Sequence, residues 1–370
     1  MFKKFLQKIL RQPITKFANK ISSAPVKKDV FASLDDVLKQ LRAGNKTEGV
    51  TIPFEINTGR FIIFSDEHKG ARDDADDFAS AEKNYTTALD YYYNNNFTFI
   101  NLGDCEELWE NTPDKVMKFN NTVLQSENRF LQQNRYYRVF GNHDLEWKYP
   151  FQQKLYLKPV FGVTLKIYEA IELQTQYNNK TWSVFLTHGH QGDKRSDGNP
   201  FSTWVVAAIW TPIQRYLGIN INTISDSSEL VDAHNIIMYE WSTTQKQLIF
   251  ISGHTHKPVF ASLDHIDLLT HQLEAAKLAG DEATIKKIET DLASYAKEYE
   301  GKKFVKSMAS PSYFNSGCCC FDDGDISGIE IDNGFIRLIK WETKNGAAPV
   351  RVVWQESPLS YIFDQLPQNI

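Results

Sequence analysis

Five short apolar runs in this chain each end in a polar cluster, and that arrangement limits the fold more than any other feature. Phe61-Ile62-Ile63-Phe64 ends at Ser65-Asp66-Glu67-His68, and Phe97-Thr98-Phe99-Ile100 ends at Asn101-Leu102-Gly103-Asp104. Tyr137-Arg138-Val139-Phe140 ends at Gly141-Asn142-His143-Asp144. Trp182–Leu186 ends at Thr187-His188-Gly189-His190, and Leu248–Ile251 ends at Ser252-Gly253-His254-Thr255-His256. Apolar runs this short, with no alternating polar face, read as strands buried on both sides. Residues 79–93 and 114–133 between the early runs are long enough for crossover helices, which makes the pattern α/β. In such sheets the working residues collect beyond the carboxyl ends of the strands.

Composition removes several alternatives. The chain has 370 residues, of which 42% are apolar and 24% charged, too apolar and too weakly charged for intrinsic disorder. With 41 basic and 46 acidic residues the net charge is −5, so no basic surplus advertises a nucleic-acid partner. Three of the four Cys are consecutive, Cys318 to Cys320, and the fourth is Cys105. That is neither a disulfide framework nor a CxxC pattern, and it fits a reducing, cytoplasmic location. The most apolar run, Trp204–Trp210, is far shorter than the ~20 residues a membrane span needs.

Several segments stand apart from the strand–helix rhythm. Residues 1–20 place Phe2, Phe5, Leu6, Ile9, Leu10, Ile14 and Phe17 at helical spacing among six Lys and Arg with no acid, and Pro13 interrupts them. A basic amphipathic segment can lie on an anionic membrane surface, here the inner face, or pack on the protein body. Residues 1–55 are therefore read as an N-terminal extension and 56–370 as the catalytic domain. Within the latter, residues 195–245 are expected to form an apolar cap and 264–301 a helical-hairpin insertion. Lys303–Met308, Gly328–Ile331 and Phe335–Trp341 read as later strands, the last two joined through Asp332-Asn333-Gly334.

The polar clusters carry ligand chemistry. Asp66-x-His68 puts a carboxylate and an imidazole on one side of an extended chain end, a pairing that suits a divalent transition metal. Asp104 can bridge two ions, and Asn142 offers a neutral oxygen beside His143. His188, His190, His254 and His256 add imidazoles at strand ends. A lone His is more often structural than ligating, but six of the nine His stand in these clusters.

The ordered blocks D-x-H, G-D-x-x-E, G-N-H-D, H and G-H-x-H at Asp66–His68, Gly103–Glu107, Gly141–Asp144, His188 and Gly253–His256 resemble the calcineurin-like metallophosphoesterases. Asn315-Ser316-Gly317 resembles that family's later Asn-x-Gly turn. The resemblance implies two packed mixed β-sheets flanked by helices, a four-layer αββα fold. It assigns Asp66, His68 and His256 to one metal, Asn142, His188 and His254 to a second, and Asp104 to both. The ions, Mn first with Fe or Zn also accommodated, would stand ~3.5–4 Å apart. A bridging hydroxide would attack phosphorus in line. His143 would contact phosphate or protonate the leaving group, oriented by Glu107. Asp144 and His190 would stand behind the site or face substrate.

Two departures bear on substrate. Protein phosphatases of this superfamily carry Arg where Leu108 stands and Glu where Asp144 stands. Gly103–Trp109 instead looks like the G-D-x-x-E-x-W style of the UDP-2,3-diacylglucosamine diphosphatase-like branch, whose best-known members have Arg where His143 stands. The branch implies a phosphorylated, lipid-linked substrate and a pyrophosphatase reaction. A phosphodiesterase or nuclease is the alternative, and a non-catalytic scaffold on the same fold the second alternative.

Overall fold

The computed structural model describes residues 25–45, 49–73, 76–193, 228–264, 310–344 and 346–367, with isolated positions between 273 and 289. Two seven-stranded mixed sheets face each other. The first runs β14(Val350–Pro358), β13(Phe335–Glu342), β12(Ile326–Asp332), β2(Phe61–Phe64), β3(Thr98–Leu102), β4(Tyr136–Val139), β5(Ile167–Tyr168). The second runs β1(Gly49–Pro53), β6(Ala170–Tyr177), β7(Lys180–Thr187), β8(Leu248–Ser252), β11(Tyr313–Asn315), β9(Val259–Phe260), β10(Leu263–Asp264). Strands β2 to β5 pair in parallel, and β12 to β14 extend that sheet antiparallel. In the second sheet β7, β8 and β11 are parallel.

Alternation along each strand builds the layers. Phe61 and Ile63 point into the space between the sheets with Ile100, Leu102, Ile171, Leu173, Val184, Leu186, Ile249 and Ile251. Ile62 and Phe64 point the other way, onto Tyr85, Ala88, Leu89 and Tyr92 of the helix Glu82–Asn94 and onto Val123, Leu124 and Phe130 of the helix Asn121–Gln132. With both faces covered there is no place for polar alternation, so these strands read as continuous apolar runs. The stretch 114–133, read as long enough for crossover helices, holds two helices, Pro113–Phe119 and Asn121–Gln132. They break at Asn120, whose buried Nδ2 donates to the carbonyls of Gly70 and Val116.

The outer face of the second sheet is covered by the helices Lys27–Arg42 and Ser228–Thr244. Val30, Leu34, Val37, Leu38 and Leu41 recur at helical spacing and are all buried, while Lys39 and Arg42 fall in the last turn, where cations are favoured. Arg42 pairs with Glu172 at 2.7 Å, and Trp241 Nε1 donates to Asp35 at 2.9 Å. Thus residues 27–42 and 49–53, within the span read as an extension, form a packed helix and an edge strand of the body. Residues 1–24, 194–227 and most of 264–301, which include the basic amphipathic segment, much of the cap and most of the insertion, lie outside the described residues, as does the expected strand 303–308. No helix among the described residues is long and apolar enough to cross a membrane.

Cutting Leu34 back to Ala should cost about 2–5 kcal/mol, the range for a large-to-small change at a buried site. Urea unfolding of the full chain measures it, and a change below 0.5 kcal/mol (roughly the surface-substitution range) would mean the helix is not part of the cooperative unit.

Candidate metal centre

The parallel strands deliver their loops to one place. β2, β3 and β4 end at the first three blocks, and β7 and β8 end at the last two. Beyond the strands the loops remain hydrogen bonded. Asp66 N donates to Gly103 O at 3.0 Å, His68 N to Asp104 O at 3.0 Å and Lys69 N to Cys105 O at 3.1 Å. Leu108 N reaches His143 O at 3.2 Å, and Gly253 N reaches His188 O at 2.8 Å.

Backbone conformation at the loop tips is unusual. Asp66, His68, Asp104, His254 and His256 all have positive φ, between 49° and 70°. Non-glycine residues there cost free energy and persist only where the surroundings over-determine them. Five expected ligands in that region mark a constellation aimed at a common point. Two glycines let it close. A Cβ on Gly141 would lie 2.1 Å from Asp104 Oδ1, and one on Gly253 would lie 2.4 Å from Asp66 Oδ2.

All seven expected ligands converge. Asp66, His68 and His256 form one group of donors within 4.8 Å of one another, and Asp104, His188 and His254 form another. His256 Nε2 stands 3.1 Å from His68 Nε2 and 3.3 Å from Asp66 Oδ1. His188 Nε2 stands 3.1 Å from Asp104 Oδ2 and 3.2 Å from Asn142 Oδ1. Asp104 Oδ2 is also 3.8 Å from His68 Nε2, so this carboxylate stands between the groups. His188 Nδ1 faces Leu102 O at 2.9 Å, which leaves Nε2 for the site.

Charge decides whether such a group can hold cations. Burial works against the charge on Asp66 and Asp104, but the imidazoles together outweigh it, His188 with His256 at Asp66 and His188 with His143 and His68 at Asp104, and hold both carboxyls below the usual range. Burial likewise opposes charge on His188 and His256. Asp104 and Asp66 hold the first up at about 9, and Cys318 and Asp66 hold the second up at about 10. A divalent cation among these donors would displace those protons. His254 is different: burial and His188 push its pKa well down, and its buried Nε2 has no hydrogen-bond partner among the described residues. A buried imidazole lone pair without a partner, beside two carboxylates and an amide oxygen, is a donor set that fits divalent transition metals.

His143 and Glu107 stand beside the ligands. His143 Nδ1 is 2.6 Å from Glu107 Oε2, which also lies 3.2 Å from His68 Nδ1, and His143 N donates to Asp104 Oδ1 at 2.7 Å. Burial opposes charge on His143, but Glu107 and Asp104 hold its pKa up at about 9. Burial opposes charge on Glu107 too, and His143 and His68 hold its pKa down to about 2. Asp144 lies behind the site. It accepts from Gly141 N at 2.6 Å and Cys105 N at 3.0 Å and pairs with Arg138 at 3.2 Å, tying the second loop to the third. His190 is buried with its ring 5.5 Å from His188, and burial first and His188 second hold it neutral.

Three neighbours had no role in the sequence reading. Trp109 stacks on His143 with centroids 3.9 Å apart and planes at 20°, and its Nε1 donates to Asn142 O at 2.8 Å. His234, on the helix Ser228–Thr244, donates to Gly189 O at 2.8 Å with its ring 5.2 Å from His254. Cys320 Sγ lies 3.8 Å from His256 Nδ1. Trp109 was legible as a motif letter; His234 sits in a helix with no pattern around it.

Gly141→Ala should drive the added methyl into Asp104 and weaken metal retention at least tenfold with the fold intact. Metal analysis after gel filtration, with circular dichroism as the fold control, checks it; retention equal to wild type would contradict the close approach.

A profile of the Calcineurin-like phosphoesterase family matches residues 59–258. No curated protein matches the chain. Among solved structures, Vacuolar Protein Sorting 29 from Cryptosporidium parvum is similar at 12% identity, covering 81% of this chain and 98% of that one with a TM-score of 0.32. A dimetal phosphatase from Danio rerio is similar at 9% identity, covering 81% and 100% with a TM-score of 0.34. Since the family profile spans more than half of its 370 residues, from before the first block to beyond the last, the chain belongs to the calcineurin-like phosphoesterase family.

Proposed function

We propose that the protein is a metal-dependent phosphoester hydrolase. The observation that carries the reading is Asp104 standing between two donor groups, with His143 beside both and backed by Glu107. Asp66, His68 and His256 would hold one divalent cation, and Asn142, His188 and His254 a second, with Asp104 shared. Two such cations supply Lewis acidity, which activates water and offsets charge on phosphoryl oxygens. Manganese, iron and zinc all suit this mixed set of imidazole, carboxylate and amide donors, and manganese is our first choice.

The chain's own residues set up the proton chemistry. Glu107 takes the Nδ1–H of His143, so the imidazole keeps a fixed orientation and presents Nε2 outward. Trp109 covers one ring face and limits rotation. With its pKa held up by the two carboxylates, His143 carries a proton near neutral pH and can deliver it to the departing oxygen. Trp109 N and Glu110 N donate to the other Glu107 oxygen at 2.9 and 3.2 Å, which keeps that carboxylate in place.

For substrate we propose a UDP-sugar lipid precursor cleaved at its pyrophosphate. Leu108 supports a branch other than the protein phosphatases, since its side chain is packed in the core and offers no phosphate clamp. Exposed Tyr149, Phe151 and Leu155 follow directly on the third block and suit an acylated ligand. Peripheral contact with the inner membrane face through residues 1–20 belongs to the same reading.

Mn²⁺-loaded protein should be assayed on a phosphomonoester, a phosphodiester, a nucleotide sugar and its acylated form. Turnover greatest on the acylated form supports the proposal; hydrolysis of the plain diester alone removes the lipid precursor. His143→Ala should lower kcat by about 10²–10⁴-fold, the usual contribution of a positioned acid, without loss of bound metal. Glu107→Gln removes the negative charge that raises the His143 pKa. A protonated acid is lost as pH rises through its pKa, so the alkaline limb of the kcat profile should move to lower pH. An unmoved limb would take His143 out of that role.

A further inference from the structure

The consecutive cysteines have no part in the hydrolytic reading, yet they lie against it. The loop after β11 is pinned under the first block: Ser316 N donates to Ser252 O at 2.9 Å, and Cys319 N is 3.1 Å from both Ser65 O and Asp66 O. The chain bends at Cys319. Cys319 turns into the apolar core with Phe64 and Ile326. Cys318 and Cys320 turn the other way, onto His256. All four cysteines are unpaired thiols.

His256 therefore has two different faces. Its Nε2 is directed at Asp66 and His68, and its Nδ1 lies 3.8 Å from Cys320 Sγ. Cys318, Cys320 and His256 each offer a donor atom, and the three lie within 4.8 Å of one another. Zinc bonds of about 2.3 Å to sulfur and about 2.0 Å to nitrogen, at tetrahedral angles, place S and N about 3.5 Å apart. The observed 3.8 Å spacing needs only a small adjustment.

We propose that Cys318, Cys320 and His256 form a separate soft-metal site, selective for zinc or cadmium, on the outer side of the hydrolytic centre. Thiolate and imidazole donors favour such ions over manganese or magnesium, whereas the carboxylate and amide oxygens next door accept harder ones. Binding is a proton exchange with no change of oxidation state. Each thiol gives its proton to solvent as its S–metal bond forms, and the Nδ1–H proton leaves as that nitrogen binds. A fourth position stays open for water, as in three-ligand zinc sites. His256 then joins the two sites, so filling the thiol side alters a ligand of the other. The proposal does not depend on which ester the protein cleaves.

The test is X-ray absorption on full-length protein saturated with Mn²⁺ and then given one equivalent of Zn²⁺. A sulfur shell at about 2.3 Å is expected, and it should vanish in Cys318→Ser/Cys320→Ser. Zinc surrounded only by nitrogen and oxygen in the wild type, or a sulfur shell that survives the double substitution, overturns the site. If the double variant does not fold, Co²⁺ titration of the Mn²⁺-saturated wild type decides. One equivalent should produce a near-ultraviolet sulfur-to-cobalt charge-transfer band, and no such band overturns the proposal.

Discussion

The structure is organised around a carboxylate that cannot stand alone. Asp104 is buried between the two sheets' loop ends, with His188 Nε2 at 3.1 Å, His68 Nε2 at 3.8 Å and the amide of His143 at 2.7 Å. A buried anion needs compensating charge. Here Asp66 stands nearby as a second one, since His188 lies within 4.0 Å of its Oδ1 as well. Protonated imidazoles or divalent cations can meet that demand, and only cations leave the lone pair of His254 with a use. The left-handed loop tips and the close glycine contacts serve to hold donors where those charges belong.

Behind this centre lies a layer of buried ion pairs. Arg138 is fully buried against Glu106 and Asp144, and Lys69 against Glu127, which also accepts from Tyr85 and Tyr136. Removing one partner from such a pair typically costs about 3–5 kcal/mol, while the intact pair adds little net stability. Its contribution is geometric. Glu106 and Asp144 come from the second and third loops, so one guanidinium from β4 sets the spacing of both, and Trp147 Nε1 donates to the same Glu106 carboxylate at 2.8 Å. These buried charges beneath the site help it keep its shape.

Much of this was legible in the sequence because the chemistry falls at strand ends. The runs at residues 61, 97, 137, 182 and 248 are β2, β3, β4, β7 and β8 within one or two residues, and the Asp332-Asn333-Gly334 turn has the positive φ at Asn333 and Gly334 that its composition suggests. The antiparallel edge β14 and the strand β6 were not recognised. Val350–Pro358 alternates with exposed positions, and Ala170–Tyr177 mixes Glu and Gln into a buried strand whose Glu172 is paired by Arg42, 130 residues away, and by its neighbour Gln174. The helix Lys27–Arg42 was overlooked beside the more basic residues 1–20, although its apolar stripe is regular. In the site, candidate donors were readable as polar residues at strand ends, while their division into two groups came from the family resemblance. Trp109 over His143 and Cys320 against His256 were not readable, since those contacts depend on side-chain direction across loops that are distant in sequence.

The proposed chemistry requires two cations sharing Asp104. Anomalous diffraction from crystals of Mn²⁺-loaded protein tests it most directly. It predicts two manganese peaks, one within bonding distance of Asp66, His68 and His256 and one within bonding distance of Asn142, His188 and His254, with Asp104 touching both. A single peak, or peaks that leave Asp104 without a metal contact, would contradict it.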